Sequence, residues 1–299
     1  MGIIENENLN IFPDVLKDNS KELKYKYRLS PVLEICSNIN LENGLPAFQY
    51  GRPPKEGGFL MENGNNVLTA KINFIFAKSI APDDISLFRN SGQKIMYPSK
   101  VYYYHDFPIG PFKQRAELFL DLSEKAHPHF AVNRTYTFWA NLRSTYYDLP
   151  GKILSDLVVA TLNELGYIPI HCAAVANKES SILVWAPSDT GKTTTVYKLV
   201  SENGFKFMSE DITITDGVRA FACPYTTSGL PKGLKSKKRT LLDIIAEKMF
   251  PYTCKKPMIT DYFPKDSIKP TANISHVIIL ARGKSQRLYC LKMMLIKCC

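Results

Sequence analysis

Residues 182–200 confine this chain more than any other stretch. An apolar run, Ile182-Leu183-Val184-Trp185, stops at Ala186-Pro187-Ser188-Asp189-Thr190. Gly191-Lys192-Thr193 then opens a segment whose apolar residues, Val196, Leu199 and Val200, recur at helical spacing. The order is strand, tight loop, helix start. Such a sequence buries the strand and one helix face, and it turns the amides of the loop and the first helical turn toward one point. The helix N-terminus adds partial positive charge there. Phosphate suits that point: Lys192 reaches the terminal phosphates of a nucleoside triphosphate, and the Thr193 hydroxyl ligates magnesium. One position departs from the eight-residue pattern, which begins with glycine where this chain has Ala186. A methyl group is tolerated there if the residue keeps a negative φ.

A second acidic element follows. Asn203-Gly204 is a helix stop, Phe205-Lys206-Phe207-Met208 reads as a short strand, and Ser209-Glu210-Asp211 leaves it ahead of the alternating Ile212-Thr213-Ile214-Thr215. Two adjacent carboxylates at the end of the next strand suit two tasks. One holds magnesium, directly or through water, and the other accepts a proton from an attacking hydroxyl.

Upstream, residues 150–166 predict an amphipathic helix with Ile153, Leu154, Leu157, Val158, Thr161, Leu162 and Leu165 near one face, stopped by Gly166. An extended run from Tyr167 to Ala176 follows, interrupted by His171. Asn177-Lys178-Glu179-Ser180 turns it as a hairpin into the loop-bearing strand. His171 therefore lies beside that strand, at an end the sequence leaves open.

With these residues in view, Ile-Pro-Ile-His-Cys-Ala-Ala-Val, Ala-Pro-Ser-Asp-Thr-Gly-Lys-Thr-Thr and Gly-Phe-Lys-Phe-Met-Ser-Glu-Asp together resemble the HPr kinase family over roughly residues 150–225. The likeness is greatest to the serine kinases associated with ribosomal peptide gene clusters. It implies an α/β fold, a P-loop kinase core related to phosphoenolpyruvate carboxykinase. It implies ATP and Mg²⁺ as ligands and phosphate binding by Ser188, Asp189, Thr190, Gly191, Lys192, Thr193 and Thr194. Metal ligation falls to Thr193 with Glu210 or Asp211, and catalysis to Lys192, Asp211, Glu210 and His171. The family has two aspartates where this chain has Glu210-Asp211, so which carboxylate is base and which is ligand stays open. No glycine-rich Arg-Gly signature of the phosphorylase type follows the acidic pair; Arg282-Gly283 lies in unlike surroundings. The implied activity is transfer of a phosphoryl group to a serine or threonine of a peptide or small protein. The alternatives are a nucleotide-binding regulatory module without catalysis, and a small-molecule kinase. Oligomers are common in that family, so a homo-oligomer is among its implications.

Composition bounds the rest. With 299 residues and 45% hydrophobic content the chain is long enough for a substantial core. Its 38 basic and 28 acidic residues leave a charge of +10, which favours polyanions without choosing among them. The Tyr102-Tyr103-Tyr104-His105 cluster and Arg134-Thr135-Tyr136 lack an RNP-like pattern and read as a tyrosine-rich sheet, not as a nucleic-acid surface. Seven scattered cysteines form no zinc motif, and Cys172 reads as a small hydrophobe. The acidic N-terminus is no signal peptide, Gly2 heads no myristoylation site, and no apolar run reaches membrane-spanning length. The expectation is a cytoplasmic protein without membrane contact.

Two portions are expected: a β-containing portion over 1–149 and the kinase core over 150–299. The first predicts strands at Val67–Ala77, Lys100–His105, Arg115–Leu122 and Phe130–Trp139. In the second, Ile212–Thr215 and Val218–Ala222 form a hairpin about a two-residue Asp216-Gly217 turn. Lys232, Lys235, Lys237, Lys238 and Arg239 then form a basic loop before a helix near Leu241–Met249, and His276–Ala281 forms a strand. The last dozen residues, through Cys298-Cys299, read as an altered or truncated end of the core.

Overall fold

Alternating and apolar segments settle as strands, and amphipathic ones as helices. A computed structural model describes residues 23–42, 45, 47–51, 67–81, 89–91, 94–97, 99–109, 112–142, 147–187, 190–225, 263, 265–280 and 289–291. Strands β1 (Tyr25–Ser30), β2 (Leu33–Ser37), β3 (Ala70–Ala77), β4 (Arg89–Ser91), β5 (Lys94–Tyr97), β6 (Lys100–Ile109), β7 (Phe112–Asp121) and β8 (His129–Asn133) precede helix α1 (Arg134–Leu142). Helix α2 (Pro150–Glu164), β9 (Ile168–Ile170), β10 (Ala173–Asn177), β11 (Ser180–Trp185), α3 (Lys192–Asn203) and β12 (Lys206–Ser209) come next. Then follow β13 (Thr213–Thr215), β14 (Arg219–Phe221), a 3-10 turn (Lys265–Ser267), β15 (Thr271–Ile279) and β16 (Tyr289–Leu291). The strands build two sheets, ordered β1-β2-β3-β8-β7-β6-β5-β4 and β12-β10-β11-β15-β14-β13-β9, with β16 on β15. Both sheets are mixed: β3 pairs parallel with β8 and β11 with β15, alongside antiparallel pairings such as β7 with β8 and β10 with β11. The fold is mixed α/β. No helix among the described residues is long and apolar enough to cross a membrane.

The chain divides into two compact units. One comprises Met1–Lys26, Cys36–Asn40 and Ile72–Leu149, the other Tyr27–Ile35, Leu41–Lys71 and Pro150–Cys299. In the first, alternation along the strands works as expected: Ile75, Ala77, Tyr102, Phe119 and Ala131 pack in one cluster. Tyr103 and Phe107, one residue out of phase with Tyr102, meet Tyr136 and Trp139 of α1. Within this sheet Glu117 is buried and fully engaged. Its carboxylate accepts from the Tyr102 hydroxyl (2.9 Å), the Ile80 amide (3.1 Å) and the Asn133 side-chain amide (2.9 Å).

The expected Phe130–Trp139 strand is one only as far as Asn133. There the Asn133 Oδ1 accepts from the Tyr136 amide (2.9 Å) and caps α1, so the chain turns into a helix despite its β-branched and aromatic residues.

In the second unit α2 buries Leu154, Leu157, Val158 and Leu162, the face read from the sequence. Strands β10 and β11 form the expected hairpin about Lys178-Glu179. Ala173, Val175, Val184 and Phe207 pack against Val196 of α3. Helix α3 ends at Gly204, φ 71°, and the Phe205 amide returns to the Leu199 carbonyl at 3.1 Å, the bond of a glycine C-cap. The β13–β14 turn lies one residue later than Asp216-Gly217: the Asp216 amide donates to the Arg219 carbonyl (3.4 Å), leaving Gly217-Val218 between them. Thr215 pairs with Ala220, and Asp216 Oδ1 accepts from the amides of Val218 (3.0 Å) and Arg219 (2.7 Å), so its side chain organises the loop. The basic segment 232–239, the helix near Leu241–Met249 and Arg282-Gly283 lie outside the described residues.

Candidate active site

The extended run from Tyr167 to Ala176 is two strands, and the break is what builds the site. β9 pairs with β13, Ile170 opposite Thr213, whereas β10 pairs with β12, Ala174 opposite Ser209. The chain therefore turns a corner at His171-Cys172 and a second, facing corner at Glu210-Asp211-Ile212. A buried side chain ties them. The Thr213 hydroxyl donates to the Cys172 carbonyl at 3.0 Å and receives a short hydrogen bond from the Ser209 hydroxyl. The β10–β11 register, Ala173 opposite Val184, sets both corners at the end of β11 from which the loop to α3 departs. That answers the question the sequence left open about His171.

Helix α3 begins at this end without a side-chain cap. Gly191 holds φ 104° and ψ 13°, a conformation that favours glycine. The first helical bond runs from the Thr195 amide to the Gly191 carbonyl (2.9 Å). The amides of Gly191, Lys192, Thr193 and Thr194 thus have no partner within the helix, and no acidic residue occupies its first turn. Ala186 is buried, and the described residues with a side chain at positive φ are Ala47 and Lys178. The missing glycine therefore costs no backbone strain.

Lys192, Asp211 and His171 converge. The Lys192 ammonium lies 3.3 Å from Asp211 Oδ1 and 3.1 Å from His171 Nε2. An ammonium only donates, so Nε2 accepts and the ring proton sits on Nδ1, which faces Asp211 Oδ1 at 3.4 Å. The three side chains grade outward from Lys192 (12% exposed) through Asp211 (30%) to His171 (58%). Glu210 diverges from its neighbour and is 1% exposed, so the two carboxylates occupy different environments. Thr190, Gly191, Thr193 and Thr194 flank Lys192 at the helix start, all half-buried; Ser188 and Asp189 lie outside the described residues. Cys172, beside His171, is buried, and burial pushes its thiol up, as suits a packing residue.

No family model matches this chain, and no curated protein matches it significantly. The functional reading rests on the residues themselves.

On their own these residues offer a metal ion little. Among the described residues no group of three or more His, Cys, Asp or Glu could hold a metal ion. Asp211 is the more accessible carboxylate of the acidic pair, and a magnesium ion there would need substrate phosphates and water to complete its shell. Sequence reasoning missed Thr213 and Ser209. The alternation of Ile212–Thr215 suggests solvent-facing threonines, whereas Thr213 and Thr215 are buried, as is Ser209.

Proposed function

We propose that the second unit is a P-loop kinase core of the HPr kinase type. It transfers the γ-phosphoryl group of ATP to a serine or threonine hydroxyl of a peptide or small protein. One observation carries this reading: Lys192, at the uncapped start of α3, meets Asp211 and His171 on two corners that a buried threonine holds together. A helix start of this kind binds phosphate through its amides, and Lys192 adds the positive charge that the migrating phosphoryl group requires. Asp211, the more accessible carboxylate, accepts the acceptor hydroxyl's proton as that oxygen bonds to the γ-phosphorus. The bond from the γ-phosphorus to the β–γ bridging oxygen breaks, ADP leaves, and Asp211 releases the proton to solvent. His171, through Nδ1, orients Asp211. Thr193 with Asp211 or Glu210 would hold Mg²⁺, which would supply charge neutralisation at the phosphates.

The test is transfer from γ-labelled ATP with Mg²⁺ to serine- and threonine-containing peptides. Label on a peptide hydroxyl is expected. Removing the charge with Lys192→Ala is expected to slow transfer by roughly 100-fold or more, and Asp211→Asn comparably. ATP binding without label on any acceptor would favour a non-catalytic module, and full transfer by Lys192→Ala would overturn the reading.

A further inference from the structure

Lys192 stands between the two ligands that this site is suited to receive. Its ammonium lies 3.3 Å from Asp211 Oδ1, and the same oxygen lies 3.4 Å from His171 Nδ1. One oxygen of Asp211 is therefore held from two sides, by a mostly buried lysine and a more exposed histidine. A divalent cation arriving alone would have to compete with that ammonium and the imidazole for Asp211 Oδ1. Little compensates it, because no cluster of three acidic, histidine or cysteine ligands exists among the described residues.

A polyphosphate alters the competition. Lys192 is the first residue of α3, beside amides with no partner inside the helix and with no acidic side chain in the turn. Phosphate oxygens there offer the ammonium more negative charge than the single carboxylate of Asp211. Taking the kinase reading as its basis, we propose that Lys192 is a latch on Asp211. Nucleotide phosphate draws the ammonium away, and the carboxylate thereby becomes available to Mg²⁺. The order of arrival is nucleotide first, or metal and nucleotide together, and never metal first. The site is thereby protected from idle metal capture.

The probe is Mn²⁺, whose free concentration is read by electron paramagnetic resonance during titration into the full chain. Wild type is compared with Lys192→Met, which keeps the apolar stem and removes the charge, each with and without ATP. Lys192→Gln is the second variant, and circular dichroism verifies that each folds. Calorimetry in EDTA measures ATP binding by wild type separately. Expected are ATP binding in EDTA, Mn²⁺ uptake by wild type only with ATP, and Mn²⁺ affinity without ATP at least about tenfold higher in the folded variants. Adding Asp211→Asn to Lys192→Met is expected to abolish that gain. Wild type that binds ATP yet takes up Mn²⁺ alone as tightly as the variants would overturn the latch and leave the nucleotide site standing. Folded variants that gain no Mn²⁺ affinity would overturn it too. Absence of ATP binding under every condition would overturn the latch and the kinase reading together.

Discussion

The Thr213 hydroxyl lies 3.0 Å from the Cys172 carbonyl, and it joins two chain corners that are far apart in sequence. One corner carries His171 and the other Asp211, so this bond sets the separation of the site's two outer groups. Thr213→Val keeps the shape and leaves a buried carbonyl unpaired. A loss of about 1–3 kcal/mol in urea unfolding is expected, with Thr213→Ser restoring most of it. Equal stability of the valine variant would show that the corners hold without the hydroxyl.

Gly191→Ala tests the loop backbone. A Cβ there would meet nothing within 4 Å, so any cost comes from the φ of 104° and not from crowding. The expected penalty is about 1–2 kcal/mol. If the loop relaxes instead of paying it, ATP affinity in calorimetry falls by roughly tenfold. A variant unchanged in both stability and affinity would contradict the geometry.

Asn133 serves two structures at once, capping α1 and contacting Glu117 through both its side-chain amide and its Oδ1, which accepts the Glu117 amide (3.1 Å). Asn133→Ala is expected to cost about 2–4 kcal/mol, the sum of a lost cap and a lost partner for a buried carboxylate. Thermal unfolding followed by circular dichroism reads it, and a change below about 1 kcal/mol would count against the network.

Burial holds the His129 imidazole below the ordinary histidine value of 6.5, with Asp121 and Glu124 opposing the shift and His127 and Lys100 adding to it. The unfolded chain therefore takes up a proton first as the pH falls. Stability is complete above about 6.5 and declines through the interval down to the lowered native value. Urea unfolding at pH 7.5 and 5.5 should show this loss, and His129→Asn should reduce it. An unaltered difference in the variant would assign the decline to other groups.

Local pattern made two of the three described α-helices and many strands legible. The helix over 150–164, the strand–loop–helix order through Lys192 and the Lys178-Glu179 hairpin all follow from periodicity and turn residues close in sequence. The helix at Arg134–Leu142 escaped because Asn133 diverts a sequence of strand-like composition, and a cap is a one-residue signal easily outweighed by its neighbours. At the site, Lys192, Asp211 and His171 were readable by type and order. Glu210 and Asp211 read as equivalents, because adjacency in sequence conceals that one is buried and the other reaches Lys192. The Thr213 tie was unreadable for a similar reason: it depends on β9 and β10 pairing with different partners, a matter of sheet order.

The parallel pairing of β11 with β15 has a consequence for synthesis. Ser181 donates its hydroxyl to the Asn273 carbonyl across 92 residues of sequence. Translation at ordinary rates needs roughly 5–20 seconds to cover that distance. During this interval β11 has its hairpin neighbour but lacks its far one, so the strand that carries the loop waits on the ribosome as an open edge. A pause in translation before residue 271 would lengthen that exposure and make the nascent chain dependent on chaperones. Codon choice in the intervening stretch is therefore a lever on how much protein reaches the folded form.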